Sequence, residues 1–501
     1  MKKWLLGLTL AVCTLAATSL TLSAYADITY SEIASITGSS RGQLVFDSAG
    51  NAYGTTFTGA SPNTYGTVYK IAPSGEVTIL KGFTISGIST DGAFLDSSVC
   101  LAGEYLYGST TGGGSGNLGT FFRLTTTGSG FTVLRNFNGS NGSEVVAAPQ
   151  RITDTFIVGS AYSGGTYNKG VIFAVTNGSM GWIASLDGTN GLYTRSSPIM
   201  APDGWLYGTA LSGGAHNYGT IYRISTNGTS LSAVYHFTNN TDGGNSAAPL
   251  LRARNGYLYG TTTAGSDDNA GTVFRFNTTN NVLTTIYRFH NYGYDMWPHE
   301  IIEGVDGYYG TTGYGGANDV GLAYRVTDDG QYKRLYSFPQ QGSGEFFYAN
   351  GPAWAKNGTL WGTSRYGGTT VYQLSIPMPF EIVSQIPTSG GTVYGLSPTV
   401  AGQTYKLWGA TNLTDKQLIG STNATGTYAT ITDTNKYTHA TYFGEMMISD
   451  TNYAQIVRSS SFTSQSKDFP GSGWSSNGYP AIYNTNTCDT CTNGGGIDLP
   501  P

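Results

Sequence analysis

The sequence predicts an all-β protein, a seven-bladed β-propeller followed by a small C-terminal β-sandwich-like module. Three observations lead there. A glycine-centred motif recurs seven times at intervals of about fifty residues. Each interval holds four short runs with the two-residue period of strands. The composition is rich in glycine (72) and tyrosine (36) but only 11% charged, which suits tight turns joining apolar strands. No window shows the 3.6-residue helical period, so a helical solenoid is excluded, and four strands per repeat is the content of a propeller blade.

The recurring glycines are Gly54, Gly108, Gly159, Gly208, Gly260, Gly310 and Gly362, separated by 54, 51, 49, 52, 50 and 52 residues. A second motif, Gly-Thr-Val-Tyr-Lys-Ile or a close variant, begins at Gly66, Gly119, Gly170, Gly219, Gly271 and Gly321, and a worn copy runs from Thr370 to Leu374. A third element ends at Phe83, Phe137, Leu186, Phe237, Phe289 and Phe338. In the fourth unit these give strand A from Pro198 to Ala201, B from Trp205 to Ala210, C from Thr220 to Ser225 and D from Ser230 to Phe237. Asp203-Gly204, Asn255-Gly256, Asp306-Gly307 and Asn357-Gly358 fall between A and B, the chemistry of a two-residue hairpin. The glycine inside strand B is expected to admit a neighbouring blade. The recurring cation of strand C (Lys70, Arg123, Arg223, Arg275, Arg325) is expected to lay its stem over the blade surface. The first unit has no strand D before it and the seventh has none after it. Residues Ile28 to Gly38 resemble a strand D, with Ile33 and Ile36 matching Leu80 and Phe83, and are expected to close the ring in blade seven.

Residues 1–26 read as a signal peptide: Lys2 and Lys3, an apolar stretch from Trp4 to Leu22, then Ala24-Tyr25-Ala26 as the cleavage site. Removing the two lysines takes the net charge from −5 to −7, since this segment contains no acid. An acidic, cation-poor chain lacks the footprint of a nucleic-acid binder. With no later apolar run long enough to span a bilayer, the expectation is a secreted or periplasmic monomer. Residues 27–376 are then the propeller, 377–460 the β module, and 461–501 a Ser/Asn/Gly-rich tail. Cys488 and Cys491 in that tail are expected to form a local disulfide, as an exported CxxC without a partner motif would. Cys100, on strand A of the second blade, reads as a buried thiol.

Taken together, x-Tyr-Gly-Thr-Thr, a Gly-Gly loop, Gly-Thr-Val-Phe/Tyr-Arg/Lys-Ile/Leu, an Asp/Asn-Gly turn and a final aromatic-x-Phe resemble the GloVer tandem repeats of exported bacterial "choice-of-anchor" proteins. The resemblance covers Gln43 to about Leu374, and Gly409 to Thr414 resembles the β module that often follows such repeats. It implies a secreted or surface-held propeller and carries no catalytic residues to transfer. The chain departs from the anchored pattern at its end, Gly496 to Pro501, which has no apolar helix or basic stop.

On a propeller, function belongs to the loops of one face, where the D–A and B–C connections emerge. The B–C loops carry Tyr65, Asn117, Tyr167, His216, Asn217, Tyr218, Asp267, Asp268, Asn318 and Tyr366, groups suited to stacking on sugars and bonding their hydroxyls. The D–A positions include Arg41, Asp96, Glu144, Arg195, Asn245, Glu345 and Tyr348. One D–A loop departs from the repeat: His290 to Glu300 contains His290, Tyr292, Tyr294, Asp295, Trp297 and His299. Trp297 precedes Pro298, which aligns with the strand A prolines Pro149, Pro198, Pro249 and Pro352. The expected ligand-binding set is Tyr292, Tyr294, Trp297, His216, Tyr218, Arg195 and Tyr348. The partner is an extracellular glycan or surface protein, and no cofactor or metal is called for. An alternative is a polysaccharide-cleaving enzyme using His290, Asp295, His299 and Glu345. A further alternative is a structural envelope protein. No metal-spacing motif supports catalysis.

Overall fold

The structure is a computed structural model. It describes residues 28–59, 64–84, 90–266, 268–290, 296–304, 307–340, 349–355, 359–364 and 369–376, and beyond these seven strands between 381 and 463. Two compact units emerge. One runs from Ile28 to Ile376, and the strands after Pro377 belong to the other. The signal segment, the tail and its Cys488–Cys491 pair lie outside the described residues, as do Tyr292, Tyr294, Asp295, Glu345, Tyr348 and Tyr366.

The first unit is seven four-stranded antiparallel sheets, each a blade of the propeller. Blade 4 represents the rest: A is Ile199–Met200, B Leu206–Ala210, C Thr220–Ile224 and D Leu231–His236, paired in the order A-B-C-D. Strand A is short in most blades because its preceding residues bend into the loop. In blade 7 the fourth strand comes from the other end of the propeller chain. Thr29–Ile36 pairs antiparallel with strand C, Thr369–Ser375, from Thr29 opposite Ser375 to Ile36 opposite Thr369. Ile36 is buried with Leu44, Tyr69 and Val371, so the join is packed as well as hydrogen-bonded.

The A–B turns differ from the two-residue expectation. Around Asp203, Gly204 donates its N–H to Ala201 O at 3.1 Å and Ala201 donates to Trp205 O at 2.9 Å. That is a three-residue loop ending in a left-handed glycine, Gly204 at φ 83°. Asp203 earns its place differently, accepting from the Trp205 N–H and from the Tyr207 hydroxyl at 2.7 Å.

The strand B glycine also has a different cause from the one expected. It faces its own blade. Gly54, Gly108, Gly159, Gly208, Gly260, Gly310 and Gly362 each pair directly with an aromatic residue of strand C: Tyr69, Phe122, Phe173, Tyr222, Phe274, Tyr324 and Tyr372. A Cβ at any of the seven would fall 2.2 to 2.6 Å from that ring. The ring folds across the pleat onto the glycine, and the side chain filling the gap comes from the directly opposed residue. The strand C cations stack likewise within their own blades, Arg123 over Tyr105 at 4.7 Å and Arg223 over Trp205 at 4.6 Å.

Blades are joined by the residue after that glycine. Its buried hydroxyl donates to a backbone carbonyl of the next blade: Thr55 to Ser97 (2.7 Å), Ser160 to Ser196 (3.1 Å), Thr261 to His299 (3.0 Å) and Thr311 to Asn350 (3.2 Å). Ser109 and Thr209 make longer versions, each 3.4 Å. Strand D ends in a fully buried Phe or Leu whose N–H bonds the glycine opening strand C, as Phe237 does to Gly219.

The second unit has two antiparallel sheets. One orders Glu381–Thr388, Gly391–Ser397 and Ala429–Asp433; the other orders Lys416–Asn423, Thr404–Ala410, Thr441–Met447 and Ile456–Thr463. Tyr394 and Leu396 are fully buried within it. No helix among the described residues is long and apolar enough to cross a membrane.

Candidate functional site

Because strands alternate in direction, every B–C and D–A connection of the propeller emerges on one face and every A–B and C–D turn on the other. The B–C loops are built by turn chemistry. Asn117, Asn168, Asn217, Asn269 and Asp319 all have φ between 54° and 65°, and each side-chain oxygen accepts the N–H of the glycine four residues earlier. Asn and Asp tolerate that backbone and form this local bond. These residues therefore shape the loop, and their neighbours carry its surface chemistry. His236, at the end of strand D, supports the same loop: its Nδ1 accepts the Ala215 N–H at 3.2 Å.

The residues left facing solvent are the informative ones. Large exposed hydrophobic side chains among the described residues are Tyr167, Tyr218, Trp297, Ile79 and Val282. The two aliphatics lie on outer strands D. The three aromatics all lie on the loop face, Tyr167 and Tyr218 on the B–C loops of blades 3 and 4, and Trp297 at the start of the first strand of blade 6. His216, beside Tyr218, is exposed, as is Arg195 on the D–A loop of blade 4, where its guanidinium sits 5.4 Å over the Tyr162 ring. Thus Arg195, His216 and Tyr218 share a blade, and Trp297 stands two blades on.

The segment around Trp297 departs from the expected alignment. Ile302 pairs with Tyr309 as Ile199 pairs with Tyr207, so Ile301 holds the strand A position that proline takes in blades 3, 4 and 7, and Pro298 lies three residues before it. Pro249 likewise lies one residue before that position, which Leu250 fills in blade 5. Strand A of blade 6 is correspondingly long, Met296–Glu303, and has a register shift between Pro298 and Ile301. Trp297 itself has φ 58°, is 47% exposed, and meets Tyr314 edge-on at 4.8 Å. His299 contributes its carbonyl to the blade 5–6 hydroxyl bond.

Of the alternative catalytic set, His290 and His299 are described. His290 Nδ1 lies 3.3 Å from the Asp268 carboxylate on the neighbouring B–C loop. Among the described residues no group of three His, Cys, Asp or Glu side chains is close enough to hold a metal ion. Arg41 reaches from the blade 1 entry to Asp96 of blade 2 at 2.8 Å and stacks over Phe57 at 3.9 Å, so these two D–A charges pair with each other.

Sequence reasoning passed over Phe94 and Tyr193. Phe94 packs against Phe57 and Tyr65, and Tyr193 stacks on Tyr162 at 4.8 Å, 13° from parallel. Each follows by two residues a glycine of the D–A loop (Gly92, Gly191), and that spacing is the signal that could have found them.

Among curated proteins, none matches the chain. Solved structures resemble it at low identity. The extracellular domain of a protein described as a hybrid two-component system from B. thetaiotaomicron is 11% identical with a TM-score of 0.45, over 90% of this chain and 54% of that one; the chain spans about half its length. An oligogalacturonate lyase from Vibrio parahaemolyticus is 10% identical with a TM-score of 0.44, over 70% of this chain and 96% of that one. A GH74 enzyme from Niastella koreensis is 12% identical with a TM-score of 0.44, over 90% and 71%. The Gloeobacter/Verrucomicrobia repeat matches residues 17–197 and 147–375, the span over which the glycine-centred motif, the blades and their linking hydroxyls recur. The chain belongs to the Gloeobacter/Verrucomicrobia repeat family.

Proposed function

We propose that this chain is an exported binding or adhesion propeller that takes carbohydrate on its D–A and B–C loop face. One observation carries the reading: the exposed aromatics Tyr167, Tyr218 and Trp297 all stand on that face, beside groups that bond hydroxyls. An exposed aromatic ring is costly to leave in water and pays for itself by stacking on the apolar face of a sugar. His216, Arg195 and the amide-rich loops supply donors and acceptors for the sugar hydroxyls. The signal-peptide pattern up to Ala26 supports the reading, since an exported protein meets glycans.

The test is a glycan array probed with the chain from Asp27 onward, alongside Tyr218→Ala and Trp297→Ala. Retention of at least one glycan class, weakened in both variants, is the expected outcome. An array with no glycan retained overturns the reading.

A further inference from the structure

Five D–A loops place a non-glycine residue in the left-handed backbone region at the same structural position: Phe94 (φ 62°), Glu144 (54°), Tyr193 (60°), Asn245 (55°) and Trp297 (58°). The equivalence rests on bonding. The N–H of the residue donates to the end of the previous blade's B–C loop: Phe94 to Tyr65, Tyr193 to Lys169, Asn245 to Tyr218 and Trp297 to Ala270. The carbonyl of the residue accepts from the strand B exit of its own blade: Thr111 to Phe94, Tyr162 to Glu144, Leu211 to Tyr193 and Thr263 to Asn245. Where both bonds are made, at Phe94, Tyr193 and Asn245, the backbone therefore straddles the seam between blades on the loop face.

Glycine adopts this conformation without steric cost, and asparagine tolerates it. For Phe, Glu, Tyr and Trp it is strained. The fold uses glycine freely nearby, at Gly92, Gly142, Gly191 and Gly243, all with positive φ. A chain that spends glycine so readily yet keeps strained side chains at these seams holds them for what the side chains touch. The five alternate in kind around the ring, aromatic in blades 2, 4 and 6 and hydrogen-bonding in blades 3 and 5. Glu144 and Trp297 are exposed, while Phe94, Tyr193 and Asn245 are half-buried.

We propose that this left-handed residue is the position at which the propeller reads its ligand, and that the ligand is an extended glycan chain crossing blades 2 to 6. Alternate rings stack on sugar faces, and the intervening carboxylate and amide take hydroxyls. The proposal deepens the carbohydrate reading and rests on it.

The experiment measures binding of cello-, chito- and mannuronate oligosaccharides of two and six sugars by quenching of tryptophan fluorescence and by calorimetry. It uses the full secreted chain and its Glu144→Gly, Tyr193→Gly, Asn245→Gly and Trp297→Gly variants, with a thermal midpoint recorded for each. Three results are expected: a hexasaccharide bound at least about tenfold tighter than its disaccharide, a loss of up to about tenfold in each variant, the upper range for one aromatic contact, and an unchanged or raised midpoint for the exposed Glu144 and Trp297 positions, where glycine relieves strain. Equal affinity for both lengths, or loss confined to Trp297→Gly, overturns the arc and leaves carbohydrate binding at one loop. Lowered midpoints with unchanged affinity show the residues to be structural and overturn it too. A blank glycan array together with no binding of any oligosaccharide removes the carbohydrate reading itself, and the arc with it.

Discussion

Thr363 in strand B of blade 7 donates its hydroxyl to the carbonyl of Gly42 at the entrance to blade 1, 3.2 Å away and 321 residues apart in sequence. Consecutive blades use the same contact, as Thr55 does to Ser97. The first and last blades are thus joined by the same device as any neighbouring pair, reinforced by Thr29–Ile36 on the outside of blade 7.

Removing one such hydroxyl tests the seam. Thr55→Val keeps the shape of the side chain and leaves the buried Ser97 carbonyl without its donor, so a loss of about 1–2 kcal/mol is expected in urea denaturation. A substitution within error of zero would show that the ring is held by apolar packing alone.

The glycine–aromatic pair is tested by adding atoms instead of removing a bond. Gly208→Ala places a methyl 2.4 Å from the phenol oxygen of the fully buried Tyr222. Overpacking of this kind costs about 1–3 kcal/mol. Combining it with Tyr222→Leu should cost less than the two single changes added together, which a double-mutant cycle measures directly.

Closure depends on Ile36. The side chain is 4% exposed against Leu44, Tyr69 and Val371. Ile36→Ala should cost about 2–4 kcal/mol, with faster proteolysis near the N-terminal strand before the remaining blades are cut. Uniform cleavage across all blades would argue against a local opening there.

Acid should loosen specific turns. For Asp47 and Asp187, burial pushes the carboxyl pKa up. Against it, Asp47 accepts from the Asn51 side chain, the Tyr53 hydroxyl and the Asn51 and Ala49 N–H groups. Asp187 accepts from the N–H groups of Asn190 and Thr189 and from the Thr189 hydroxyl. The bonds win, and both end below the ordinary carboxylate value of 3.8. A folded-state pKa lower than the unfolded one gives stability that is present above pH 3.8 and lost as pH falls through the depressed folded value. Denaturation midpoints should be flat from neutral pH to about 5 and fall below about 4, less steeply in Asp47→Asn.

Cys100 should be inert. Burial pushes its thiol up to about 12, so almost none is thiolate at neutral pH. Iodoacetamide should label it no faster than the protein unfolds, and rapid labelling of the native chain at pH 8 would contradict its placement in the blade 2–3 core.

Much of this architecture was legible because a propeller writes itself into sequence as a period. Gly208, Thr220 and Phe237 mark strands B, C and D wherever they recur, and Ile36 could be matched to Phe83 before any strand was paired. What the period could not convey was which neighbour each residue meets. Gly208 looked like a contact between blades and proved to lie under Tyr222 of its own sheet, since a directly opposed pair is set by register and register is invisible in one strand. Pro298 looked like the strand A proline because it follows Trp297 at a plausible distance, yet the added bend in blade 6 moves it three residues out of phase. Trp297 was visible as an interruption of the repeat. Phe94, Glu144, Tyr193 and Asn245 were not visible as a set with it, because their side chains share no chemistry. Their kinship lies in a left-handed backbone and in hydrogen bonds reaching across a seam, and both exist only once the blades are side by side. The sequence by itself determined the repeat, the blade count and the strand that completes the ring, all consequences of local periodicity and turn chemistry. Only the tertiary structure decided which side chains stand together over the seams, since that depends on contacts between residues 24 to 29 positions apart on different blades.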